Sequence, residues 1–212
     1  MKTAFAALAF FLLSLGASAQ KWETIAYKDL VTFQLPEGHT LLDTLGSQIY
    51  QSEIEDTTYI CTFIADAQPL VFESEASLDA FYNDFFNGLV AKSDKPKVVS
   101  KEILRFGKFR ALRASLQRNV IKKELTWEIL VFHVANTTLS FQCITQNRDK
   151  AQFARVEQSI RFSDTLSEKD QISAPTETPE TASPGMAARY GAYVLVGFAL
   201  VFGAWFFIRK GK

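Results

Sequence analysis

The stretch ELTWEILVFHVANTTLSFQCIT, residues 124–145, decides the fold. From Ile129 to Val134 apolar residues fall on both alternating faces, the pattern of a central strand covered on each side. Asn136-Thr137 predicts a tight turn, and Leu139 to Thr145 then alternates, with Ser140 and Gln142 between apolar neighbours. The whole reads as one long antiparallel hairpin.

Working outward, the flanking runs supply more sheet. Phe109 to Arg118 and Val98 to Arg105 read as a strand pair across Gly107, with Leu112, Ala114 and Leu116 alternating with Arg113, Ser115 and Gln117. Gln48 to Glu53 and Thr58 to Ala65 read as a hairpin around Glu55-Asp56, and Val31 to Leu35 as a strand stopped by Pro36-Glu37-Gly38, followed by a polar loop. Two helices interrupt the strands. Over residues 77–90, Leu78, Phe81, Phe85 and Leu89 recur at helical spacing, and Tyr82 and Phe86 widen that stripe. Over residues 150–160, Phe153, Val156 and Ile160 make a second stripe behind Asp149 as N-cap, with Gln152 placed for a capping box. The expected class is α+β over residues 20–163: a mostly antiparallel sheet with flanking helices.

The two ends of the chain read differently. Residues 1–19 have a positive Lys2, an apolar run from Ala4 to Leu15 and Ala17-Ser18-Ala19, the arrangement of a cleavable signal peptide. Residues 164–188 are rich in Thr, Pro, Glu and Ser, too poor in apolar groups to fold, and are expected to be a disordered linker. Residues 189–208 contain the uncharged run YGAYVLVGFALVFGAWFFI, followed by Arg209, Lys210 and Lys212. At about 1.5 Å per residue its nineteen residues make roughly 28 Å of helix, enough to cross a bilayer. Trp205, Phe206 and Phe207 suit the interface, and a basic tail over 209–212 suits the cytoplasmic side. The expectation is a single-pass membrane protein with its domain extracytoplasmic, in the periplasm or at the cell surface. A sorting tail removed after export is the other way to read the same end.

Composition narrows the functions. With 23 basic and 23 acidic residues the net charge is zero, and no nucleic-acid footprint is expected. The two histidines, His39 and His133, lie in a loop and in an apolar strand, and neither stands in a local nucleophile-and-base pattern. No phosphate loop or metal-ligand spacing is present, so no enzyme activity, cofactor or metal is expected. Glu53, Glu55 and Asp56 read as a solvated hairpin tip. Arg105, Lys108, Arg110 and Arg113, with Arg118, Lys122 and Lys123 beyond, can form one wet basic sheet face, and Asn136-Thr137-Thr138 is a glycosylation sequon at a turn. Cys61 and Cys143 both point inward by period-two alternation, which leaves open a disulfide or two buried thiols.

Four pieces of the chain together resemble the PsbP-like α/β sandwich superfamily, which also includes the Mog-type Ran-binding proteins. They are Phe33-Gln34-Leu35-Pro36-Glu37-Gly38, the strand from Val98-Val99-Ser100 to Gly107, the hairpin from Glu124 to Thr145, and Val156-Glu157-Gln158-Ser159-Ile160-Arg161-Phe162. His39 stands where that family often has tryptophan. The resemblance implies a sandwich fold and a binding or assembly role, and it carries over no catalytic residue. The expected function is a membrane-anchored extracytoplasmic binding or assembly module whose partner is another envelope protein. The alternative is a small-molecule or lipid carrier, with an apolar ligand between helix 77–90 and the sheet beside Phe81, Tyr82, Phe85 and Phe86. A hydrolase is the least favoured reading.

Overall fold

The structure is a computed structural model, and it describes residues 20–172 apart from 45–46, 67–69, 94–95, 121–122 and 147–150. The signal segment 1–19, the span 189–208 and most of the linker lie outside the described residues, as does Asp149. Among the described residues no helix is long and apolar enough to cross a membrane.

The hairpin at 124–145 lies in the middle of a seven-stranded antiparallel sheet. Its strands are β3 (Thr40–Thr44), β4 (Ser47–Ile54), β5 (Thr57–Ala65), β6 (Lys97–Phe106), β7 (Phe109–Val120), β8 (Lys123–Val134) and β9 (Thr137–Thr145), in the order β3-β4-β5-β9-β8-β7-β6. β8 is buried without a break from Leu125 to Val134, as its two-sided apolar pattern requires. The two-residue turn uses Ala135 and Asn136, both at positive φ (48° and 56°). That backbone matches the twist of the strands it joins. A smaller sheet, β1 (Trp22–Tyr27), β2 (Val31–Pro36) and β10 (Arg161–Phe162), has the order β1-β2-β10.

Period-two alternation gives the large sheet two apolar faces. On one, Tyr59, Phe63, Phe132 and Phe141 meet Phe33 and Leu35 of β2 and Phe153 and Val156 of α2 (Ala151–Ser159). On the other, Leu112, Ile129 and Val131 meet Leu78, Tyr82, Phe85 and Leu89 of α1 (Glu75–Lys92). Ser74 caps α1, accepting from the Ser77 amide while the Ser77 hydroxyl accepts from the Ser74 amide.

Two parts of the fold differ from the sequence expectation. Thr40–Thr44, expected as a polar loop, is the edge strand β3, paired with β4. Residues 164–172, expected as the start of the linker, belong to the folded domain. Leu166 packs on the first face and Ile172 on the second, around a short 3-10 turn at Glu168–Asp170. Main-chain bonds from Ser163 N–H to the Leu30 carbonyl (2.9 Å) and from Ala135 N–H to the Asp170 carbonyl (2.8 Å) hold this strap across the end of the sandwich.

Candidate functional site

The helical stripe expected to line a core or a pocket is core in the structure. Phe81, Tyr82, Phe85 and Phe86 are all buried between α1 and the sheet. The Phe81 ring lies 5.2 Å from Phe72, 6.4 Å from Phe85 and 5.3 Å from the imidazole of His133. Aromatic rings at such separations fill space by edge and tilted contacts.

The chemistry on this face gathers around Tyr82. Its hydroxyl donates to the Arg110 carbonyl (2.9 Å) and accepts from the His133 amide (3.1 Å) and from Gln171 Nε2 (3.2 Å). Burial pushes the Tyr82 hydroxyl well above its ordinary pKa, so it stays protonated and able to donate. The Gln171 carboxamide comes from the strap. Its Oε1 accepts from the Arg110 amide (2.7 Å), and its Nε2 also donates to the carbonyls of Arg110 (2.8 Å) and His133 (3.1 Å). The Arg110 side chain meanwhile reaches α1, bidentate to Asp79 (2.9 and 2.7 Å) and with a third bond to Glu75 (2.6 Å). Those carboxylates raise the guanidinium pKa further, Asp79 most of all.

His133 stands next to this knot. Its Nδ1 lies 3.2 Å from Thr138 Oγ1 and 3.7 Å from Asp66 Oδ2, while Nε2 is buried with no hydrogen-bond partner among the described residues. Phe72 and Phe81 pack on the ring edge-on. Burial among these neighbours lowers the imidazole pKa to about 4. An uncharged imidazole beside a carboxylate has the outline of an acid–base pair, but here both side chains are shut away from solvent.

On the opposite face, Cys61 sits across from Phe141 and Cys143 across from Tyr59 in the β5–β9 register. The cysteines are therefore diagonal neighbours, typically about 7–8 Å apart, beyond easy disulfide reach. Both are buried free thiols. Burial raises both, Cys143 to about 12. A polar cluster lies further along this face: Ser115 donates to Glu128 Oε1 (2.8 Å), and Arg113 pairs with Glu157 (3.0 Å).

The basic run does not make one face. Arg110 turns toward α1 and Arg113 toward α2, as successive odd and even positions of a strand must. Arg105 pairs with Glu75 (2.8 Å) and Glu168 (3.0 Å), Lys108 donates to the Leu166 carbonyl, and Lys122 lies outside the described residues. Glu53, Glu55 and Asp56 form the exposed tip of the β4–β5 hairpin, where Asp56 accepts from Gln146 (3.2 Å). Among the described residues no group of three or more acidic, His or Cys side chains is placed to hold a metal ion. His39 Nδ1 lies 3.4 Å from Glu23 Oε2.

No family model matches this chain, and no curated protein does. Solved structures do. The solution structure of the cyanobacterial PsbP of Synechocystis is similar at 13% identity, over 69% of this chain and 95% of that one, with a TM-score of 0.47. A protein of unknown function from Pseudomonas aeruginosa is similar at 8% identity, over 63% of this chain and 88% of that one, with a TM-score of 0.41.

The sequence singles out Tyr82 and His133 without showing that they share one network. Gln171 and Asp66 it does not single out at all. Gln171 bonds mainly to main-chain groups, which no residue pattern announces. Asp66 is distinguished only by its place just after a strand that is otherwise apolar.

Proposed function

We propose that this chain is a membrane-anchored extracytoplasmic binding or assembly module. Export behind residues 1–19 and a span at 189–208 put the domain outside the cytoplasm, on the tether that follows Ile172. The observation that carries this reading is the uncharged run from Tyr190 to Ile208 with its basic end, downstream of the folded domain. The partner is another protein of the same envelope. The buried chemistry agrees with a non-catalytic role: Tyr82 and Gln171 spend their hydrogen bonds on each other and on the main chain, and the Arg110 guanidinium spends its own on Asp79 and Glu75. The carrier alternative would need space between α1 and the sheet, which the rings of Phe81, Phe85 and Phe86 occupy.

Native mass spectrometry of the full-length protein, gently extracted from its membrane, tests this. A second polypeptide in fixed ratio is the expected result. A small adduct of a few hundred daltons on every copy would instead favour the carrier. Recovery of the intact chain in the soluble fraction after alkaline washing would overturn the anchor.

A further inference from the structure

We propose that residues 163–172 are a releasable latch, and that the gap it plugs between β7 and β8 is a two-state junction. The inference goes beyond the tethered-module reading, since it holds whether or not the chain after Ile172 reaches a membrane.

β7 and β8 keep one register from Val120 opposite Lys123 to Leu112 opposite Val131. Carried two residues further, that register opposes Arg110 and His133. The strands part there instead, and the four main-chain groups that would bond across the gap take side-chain partners. Gln171 serves the Arg110 N–H and both carbonyls, while the Tyr82 hydroxyl serves the His133 N–H and the Arg110 carbonyl. Buried main-chain groups must be paired. In this molecule they have two ways to be paired: by side chains inserted from outside, or by one more pair of the ladder. Losing Gln171 would ordinarily strand buried donors and acceptors. Zipping Arg110 onto His133 removes most of that penalty.

Apart from the Gln171 bonds, the latch is held by the Ser163–Leu30 and Ala135–Asp170 main-chain bonds and by the partly buried Leu166 and Ile172. Gln171 is its one buried residue, and the Arg105–Glu168 pair is more than half exposed on both sides, where ion pairs contribute little. Segments held in this way open independently of the core. Gln171 stands at the end of the strap, so a pull on the chain after Ile172, or a partner bound there, reaches it first.

Hydrogen exchange on the full-length protein in detergent micelles tests the proposal, comparing wild type with Gln171→Ala. In the wild type, amides of residues 163–172 are expected to exchange on the order of 10-fold or more faster than those of residues 125–134. In Gln171→Ala the strap should exchange faster still, while the Arg110 amide, whose acceptor is the Gln171 Oε1, stays protected because the ladder has closed. Loss of protection at Arg110 together with the strap would overturn the two-state junction. Should the variant fail to fold, the wild type decides. Strap amides exchanging only at the rate of global unfolding would show an integral part of the core rather than a latch.

Discussion

The two faces of the seven-stranded sheet are covered by different means. On the face under β1, β2 and α2, Phe33, Tyr50, Phe63 and Phe141 interlock at centroid distances of 5.3 to 5.8 Å, most of them edge to face. On the face under α1, apolar packing is interrupted by His133, Thr138, Ser140 and Gln142, all buried. They bond in two groups: His133 Nδ1 lies 3.2 Å from Thr138 Oγ1, while Trp127 donates to Gln142 (3.2 Å) and Gln142 to Ser140 (2.9 Å). Around these rings the first face depends on area and shape, which tolerate few states, and its Ser115–Glu128 and Arg113–Glu157 bonds are the polar exceptions there. Around Tyr82 the second face depends on directed bonds that can be exchanged for others. That division puts stability on one side of the sheet and adjustability on the other.

The sharpest way to break the comparison is to cut one ring from each face. Phe63→Ala, at the centre of the interlocked cluster, should cost about 3–5 kcal/mol in urea unfolding. Phe81→Ala, beside the polar network and slightly more exposed, should cost about 3 kcal/mol, the low end for a buried aromatic ring. Equal losses would mean that the two faces do not differ in kind.

A pH series sharpens it next. His133 has its folded pKa lowered to about 4 from an ordinary 6.5. The folded state therefore binds fewer protons than the unfolded one between those values. This contribution is whole above about pH 6.5 and drains away as pH falls toward 4, by about 3 kcal/mol in all. Urea midpoints at pH 7.5 and pH 5 measure it. His133→Asn should flatten the slope, whereas Cys143→Ala should leave it alone.

Two small effects complete the series. Arg105→Ala removes exposed ion pairs to Glu75 and Glu168 and should leave the unfolding midpoint of the core nearly unchanged. A reductant should change it not at all, because Cys61 and Cys143 are free. Neither thiol should react with iodoacetamide until the domain unfolds, since burial keeps both protonated.

How much of this was legible beforehand follows from what each element relies on. β8 and β9 show in their apolar alternation, and α1 in the spacing of Leu78, Phe81, Phe85 and Leu89, because packing against a flat sheet imposes those periods. β3 does not show: Leu41 and Leu42 are adjacent, and both are exposed on an edge strand, so no alternation marks it. The strap does not show either. Of its residues only Leu166 and Ile172 are apolar, and Gln171 is held by bonds to groups 38 to 89 residues away in sequence. Composition reports what a segment can bury, and this segment is held by what it can bond.

Tyr82 and Gln171 together stand in for the ladder pair that Arg110 and His133 do not make. A double-mutant cycle of Tyr82→Phe and Gln171→Ala, read as urea stability of the full chain, tests it most directly. Side chains that share the same main-chain partners should be coupled, with an interaction energy of about 1 kcal/mol or more. Losses that simply add, to within about 0.5 kcal/mol, would mean the two act independently and would contradict the account.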